Sequence, residues 1–130
     1  MAVNLEYVEN PQEMEVIVGG PSGANRLFIY TGTAVFSFKG TGGDWLRDSI
    51  SFDVGRAFAS TEFVKAVAVA SLASISNQQH AVNAGWAVDR VEANRAAGSG
   101  KTTLTISLAV RDSDGYVQRL GYEVNVLAKL

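Results

Sequence analysis

Cysteine is absent from this 130-residue chain, and histidine occurs once, at His80. Disulfides and thiolate-bound zinc are therefore excluded, and nothing marks a redox compartment. A histidine metal cluster or a Ser-His-Asp triad would have to be built on that single imidazole. No Gly-x-Ser-x-Gly elbow and no cysteine nucleophile accompany it, so neither an enzyme nor a cofactor is expected. Charge is scarce as well: Asp, Glu, Lys and Arg make up 18% of residues, below the roughly 25% usual in soluble domains. With 11 basic against 13 acidic residues, the net charge of −2 leaves no surface for tracking phosphates, and nucleic acid is not an expected partner. No run approaches the ~20 apolar residues of a membrane-spanning helix, so no membrane insertion is expected. Residues Met1 to Glu6 lack the basic region and apolar stretch of a signal peptide. A soluble chain with no address of its own is the expectation.

What the chain has instead is alternation. From Thr102, Leu104, Ile106, Leu108 and Val110 occupy one parity, and Thr103, Thr105, Ser107 and Ala109 the other. After Arg111-Asp112-Ser113-Asp114-Gly115 the pattern resumes through Leu120, Tyr122, Val124, Val126 and Ala128. Successive side chains on a strand point to opposite faces, so each run has one buried and one wetter side. Two such runs around an Asp-Ser-Asp-Gly turn predict an antiparallel hairpin at the centre of a β-sheet domain.

Earlier in the chain, Val3, Leu5 and Tyr7 alternate with polar residues until Asn10-Pro11, which predicts a break because proline donates nothing to a ladder. Met14, Val16 and Val18 follow, ending at the loop Gly19-Gly20-Pro21-Ser22-Gly23. Leu27 to Tyr30 and Ala34 to Phe38 are aromatic and β-branched, separated by Thr31-Gly32-Thr33, which could be a bulge in one long strand. A second glycine loop, Gly40-Thr41-Gly42-Gly43-Asp44, leads into Trp45, and Ile50, Phe52 and Val54 alternate after it. Residues 61–76 admit two readings. Ser60 or Thr61 could cap a helix with Phe63, Val67 and Ala70 on one stripe; the segment could equally be a strand buried on both faces. The alternation of Val82, Ala84, Trp86 and Val88, with Gly85 poorly suited to a helix, favours two strands joined at Asn77-Gln78-Gln79-His80. The pattern as a whole predicts a single all-β domain, an antiparallel β-sandwich of about six to eight strands. With 47% hydrophobic residues and little charge, some surface is buried against another subunit or is carried by Ser, Thr and Asn.

Two motifs fail on inspection. Gly98-Ser99-Gly100-Lys101-Thr102-Thr103 resembles the end of a phosphate loop, but Arg95 stands where the first glycine belongs. The residues after Lys101 predict a strand, whereas phosphate binding there needs a helix N-terminus. Asp112-x-Asp114-Gly115 opens like a calcium loop with Glu123 at its twelfth position, yet Tyr116 and Val117 occupy positions that need a ligand and a glycine. No metal is expected. Trp86 is expected in the core. Trp45, beside Asp44, is either a core plug or an indole that stacks on an apolar sugar face while the carboxylate takes hydroxyls. Tyr116, near Arg111 and Asp112, offers the same combination of aromatic and polar fork, or a plain exposed tip. His80 is a solvated loop residue or a ligand contact.

From Ile50 onward the chain resembles an H-type lectin domain. The resemblance is carried by Ile50-Ser51-Phe52, the valine-rich Val64 to Leu72, the polar Asn77-Gln78-Gln79-His80, the run Val82 to Val91, and the paired stretches Leu104 to Leu108 and Val124 to Ala128. It covers residues 49–130, leaving 1–48 as N-terminal strands or an assembly arm. The resemblance implies a six-stranded antiparallel sandwich that forms a homotrimer and binds cell-surface sugars such as N-acetylgalactosamine between protomers. Matched by position, it implies Asp44 in a Gly/Asp loop, His80 near a basic position the family often fills with arginine, and an aromatic-bearing last hairpin. The family's tryptophan there is missing; Arg111, Asp112 and Tyr116 stand in its place. The expected site is Asp44, Trp45, His80, Arg111, Asp112 and Tyr116, in a non-enzymatic sugar-binding homo-oligomer of extracellular or virion-associated setting. The rival expectation is a structural subunit of a phage tail, capsid or similar assembly, with no small ligand.

Overall fold

A computed structural model of the chain describes residues 3–19, 25–77, 83–112 and 115–130. Seven strands follow in order: β1 (Tyr7–Val18), β2 (Asn25–Lys39), β3 (Trp45–Val54), β4 (Phe63–Asn77), β5 (Gly85–Arg95), β6 (Thr102–Arg111) and β7 (Gly115–Lys129). No helix occurs among the described residues. The strands make two antiparallel sheets, one of four strands in the order β1-β2-β7-β4 and one of three in the order β3-β6-β5. The sheets share a single core, to which β2, β3, β6 and β7 contribute most of the buried side chains.

The parity expected of the last two runs is the parity observed. Leu104, Ile106, Leu108 and Val110 are fully buried, as are Leu120, Val124, Val126 and Ala128. Each large aliphatic side chain removed from water in this way contributes on the order of 1.5–3 kcal/mol. The expected hairpin, however, does not form. β6 hydrogen-bonds to β3 and β5, and β7 to β2 and β4, so the turn after Arg111 carries the chain from one sheet to the other. The physical reason is that alternation says which residues face inward, not which backbone lies alongside. Two runs with one apolar side each satisfy it as facing layers as well as neighbours, and facing layers bury both apolar sides against each other. The same correction applies to 61–95: β4 pairs with β7 and β5 with β6, so no hairpin joins β4 to β5. His80 and its neighbours 78–82 lie outside the described residues.

Residues 63–77 are a strand, and the helix signal before them is real but local. Glu62 and Phe63 both donate to the Ala59 carbonyl, at 2.9 and 3.1 Å, and the Glu62 carboxylate accepts from the Ala59 amide at 2.8 Å. That is the reciprocal pattern of a helix start confined to one turn. The β-branched residues that follow take ladder partners on β7 instead. Asn10-Pro11 does not end β1. The strand passes through it with a register shift between Glu9 and Gln12 and with Asn10 at φ +49°. The bulge expected at Thr31-Gly32-Thr33 lies elsewhere, between Val35 and Phe38, and Gly32 stays in register opposite Tyr122. Residues 96–101 form the tight β5–β6 connection, with Gly100 at φ +75° and β6 starting at once, so the phosphate-loop geometry is not built.

Within the segment before residue 49, β2 belongs to the core, whereas β1 forms the edge of the larger sheet and has no buried residue. β2 lies inside the larger sheet and buries Phe28, Tyr30, Phe36 and Phe38. Ahead of β1, the Val3 amide donates to the Ser49 carbonyl at 2.8 Å and the Glu6 amide to the Val35 carbonyl at 2.9 Å, which ties the two sheets together along one side.

The outer faces of the sheets differ sharply. On the three-stranded sheet the outward residues are polar: the Ser51 and Thr105 hydroxyls are 2.9 Å apart, and Arg47–Asp89 and Arg90–Glu92 are ion pairs. On the four-stranded sheet the ladder rows Val16–Leu27–Leu127 and Met14–Ile29–Asn125–Val67 point outward. β4 even reverses the usual arrangement. Its inward side chains include Ala66, Ala68 and Ala70, while Val67 and Val69 are 55% and 63% exposed.

Candidate functional site

One end of the molecule gathers the expected site residues. Trp45 on β3, Arg111 on β6 and Gly85 on β5 occupy one row across the smaller sheet. All three sit on its outward parity, and the indole reaches across Arg111 toward Gly85. The Arg111 guanidinium lies over the indole, 5.1 Å from the ring centroid, and its Nε donates to the Asn83 carbonyl at 2.6 Å. Gly85 is required at its position because a Cβ there would stand 2.7 Å from the indole Cη2. The result is a half-covered tryptophan, 40% exposed, held by a cation on one face and a bare backbone at its edge.

The glycine loop before Trp45 is fastened to the start of the β6–β7 crossing. The Asp112 amide donates to the Gly42 carbonyl at 2.8 Å, and the Gly40 amide to the Gly115 carbonyl at 2.9 Å. Asp112 takes φ +82°, a left-handed conformation that Asp tolerates better than most side chains, and its carbonyl accepts from the Gly115 amide at 3.1 Å. Gly40 has no room for a side chain against the Asp112 carbonyl. Asp44 lies in this loop with its side chain exposed. Tyr116 belongs to the other sheet, where it pairs with Lys39 and Ser76, and the Lys39 ammonium stands 5.2 Å from its ring centroid.

Of the six expected residues, the structure joins Trp45 to Arg111 directly and brings Asp44, Asp112 and Tyr116 to the same end. His80 lies outside the described residues. Glu123, the twelfth residue from Asp112, sits well inside β7 and accepts from the Asn125 amide nitrogen at 3.2 Å, far from a calcium-loop geometry. Sequence reasoning missed Lys39 and Gly85, which engage the two site aromatics. A basic residue before a glycine loop and a glycine inside a strand were the signals for them.

Beside this end, between the close of β2 and the opening of β3, lies a cleft of about 690 Å³. Phe38 and Leu46 form part of its apolar floor, and Lys39, Arg47, Glu6 and Asp48 ring it with both signs of charge. Among the described residues, no three His, Cys, Asp or Glu side chains gather where they could hold a metal ion. The arrangement offers aromatic edges, cations and carbonyls. Comparison with family models, with curated proteins and with solved structures finds no match.

Proposed function

We propose that the chain is a non-enzymatic, H-type-lectin-like carbohydrate-binding protein that works as a homo-oligomer. The observation that carries this reading is the meeting of the loop before Trp45 and the β6–β7 crossing at one end of the molecule. At that end Trp45 and Arg111 lie on the outward parity of one sheet, and Lys39 and Tyr116 on the outward parity of the other, as two separate pairs of aromatic and cation. Sugars expose apolar C–H faces beside hydroxyls, and aromatic rings flanked by fixed donors and acceptors complement that mixture. The homo-oligomer, a trimer in this reading, is supported by the apolar outer face of the four-stranded sheet, which a second copy would cover. Weak sites repeated around an oligomer then gain avidity without new contacts. A glycan array compares the wild type with an Asp112→Ala, Tyr116→Ala double variant. Loss of signal in the variant supports the placement of the site; an unchanged pattern removes it.

A second reading is favoured by β1. Residues 10–17 are exposed on both faces of the strand, with Met14 55% and Ile17 67% exposed. An exposed edge strand that carries apolar side chains among polar ones has one side of its backbone open to pair with a neighbour, as a structural subunit of a tail, capsid or similar assembly requires. Sedimentation separates the two: a closed trimer belongs to the lectin reading, and large rings or open polymers belong to the structural one.

A further inference from the structure

The two sheets end in four outer strands, β1 and β4 in the larger and β3 and β5 in the smaller. Three of them carry the charges, proline and irregularities that keep sheet edges from pairing. β1 has Glu9, Glu13 and Glu15, with Pro11 and a register shift between Glu9 and Gln12. β3 has Arg47, Asp48 and Asp53, and Val3 bridges it at Ile50. β5 has Asp89, Arg90, Glu92 and Arg95, with a register shift between Val88 and Arg90. β4 is different. Its 15 residues hold one charge, Lys65, and no proline or carboxylate. Its register shifts lie toward its ends, and residues 65–72 run unbroken against β7. No ladder joins its other side to β5; a groove of about 310 Å³ lies between residues 65–68 and 91–94 instead.

An open row of backbone donors and acceptors is matched by another strand, and the side chains decide which strand. Directly opposite residues of an antiparallel pair share a face, so like charges placed there repel. Pairing β1 with β1 of a second copy crowds three carboxylates from each chain along one seam. Pairing β1 with β4 sets Pro11, which donates nothing, and a register shift inside the ladder. Pairing β4 with β4 meets neither obstacle. With a two-fold axis at Ala68, Val67 stands opposite Val69, Ala66 opposite Ala70, and Lys65 opposite Ser71. At about 3.4 Å per residue the two Lys65 side chains are then roughly 20 Å apart along the seam. That exceeds the screening length of about 8 Å at physiological salt, so the only charge on the strand does not oppose the pairing.

We infer that β4 is an assembly edge whose partner is β4 of a second copy, antiparallel about a two-fold axis at Ala68. The pairing joins two four-stranded sheets into one of eight strands. Because the contact is isologous, it closes on two copies and leaves no β4 edge open. It also gives the reversed side chains of β4 a role. The alanines inside stay with their own core, while Val67 and Val69 of both copies meet as one apolar cluster on the outer face. The inference goes beyond the sugar-binding reading and uses no residue of the loop end. Packing of outer faces alone does not make this seam; a trimer built from such faces would become a hexamer of three β4 pairs.

The chain has no cysteine, so a single introduced thiol reports on a single neighbour. The full chain is prepared as Ala66→Cys, Val67→Cys, Ala68→Cys, Val69→Cys, Ala70→Cys and, on β1, Met14→Cys. Each is oxidised and run on a non-reducing denaturing gel, beside sedimentation of the wild type and circular dichroism of every variant. The wild type is expected to contain an even number of copies. Disulfide-linked pairs should peak at Ala68→Cys and fall away on either side, because only the residue on the axis faces its own copy. Opposite Cβ atoms lie about 4.5–5.5 Å apart there, close enough for a disulfide to form with a small adjustment. Met14→Cys should stay unlinked. If Ala68→Cys folds poorly, a mixture of Val67→Cys and Val69→Cys should link to each other more than either links to itself. The inference is overturned if the wild type is a monomer, if linking in β4 does not follow this pattern, or if Met14→Cys links as readily. A trimeric mass without β4 links overturns this edge and leaves the sugar-binding oligomer standing. Linked β4 pairs without a glycan-array signal do the reverse.

Discussion

Tyr122 on β7 stands directly opposite Gly32 on β2, and its phenol fills the volume that a side chain at residue 32 would take. Both positions are inward-facing, so the clash cannot be relieved toward solvent. Gly32→Ala is expected to destabilise the fold by about 1–3 kcal/mol, the usual cost of overpacking a filled core. Chemical denaturation checks it. Gly32→Ala combined with Tyr122→Ala should recover part of the steric loss while opening a cavity, so the two changes will not be additive.

The stacking of Arg111 on Trp45 makes a spectroscopic prediction. In a Trp86→Phe background the remaining indole reports on one face covered by a guanidinium. Arg111→Ala should expose that face and move the emission to longer wavelength, with a loss of stability of only about 0.5–1 kcal/mol for a partly exposed cation–π contact. An unmoved emission would mean that the guanidinium does not cover the ring in solution.

The buried tyrosines set an alkaline limit. Burial pushes the Tyr30 and Tyr122 phenols above their ordinary value, with Glu13 adding to the rise at Tyr30 and the Arg56 amide opposing it. In the unfolded chain both ionise near about pH 10, so as pH rises the unfolded state loses its protons first. The stabilising contribution is therefore complete below about pH 10 and is lost as pH climbs through the folded-state values. Urea midpoints measured from neutral to strongly alkaline pH should fall in that upper window, and Tyr122→Phe should make the fall shallower.

The outer face of the four-stranded sheet predicts an effect on mass. Val67→Asp with Val69→Asp places two charges where the wild type has two exposed valines. If a second copy covers this face, the double variant should sediment as a monomer with its β-sheet circular dichroism intact. Thr105→Asp, on the polar outer face of the other sheet, should keep the wild-type mass. A monomeric wild type would remove the homo-oligomer reading; an oligomeric double variant would move the interface elsewhere.

Four of the expected residues carried a local mark in the sequence. Trp45 and Asp44 were marked by the glycine loop they follow, and Arg111 and Asp112 by the polar break after a clean strand. Their mutual contact was not legible, because it depends on β3 lying beside β6, a pairing between residues some sixty positions apart. The packing of Tyr122 on Gly32 and of Tyr30 on Gly55 left only faint signs: Gly32 in the middle of an aromatic strand and Gly55 after another. Each reads as a bulge or turn until its neighbour across the sheet is known.

By itself the sequence determined the class of the protein and the side of each strand that meets the core. Period-two alternation is a property of one strand, and burial follows it without reference to partners: Leu104 to Val110 and Leu120 to Ala128 fall on the inward parity that their order requires. Only the tertiary structure decided which strands are neighbours. Hydrogen bonds in a sheet join backbones, which are alike at every residue, so the pairing of β6 with β3 and β5 and of β7 with β2 and β4 is chosen by how the apolar sides pack as layers. That choice separated two strands that adjoin in sequence. It also set a valine-bearing face outward and placed two phenols against two glycines.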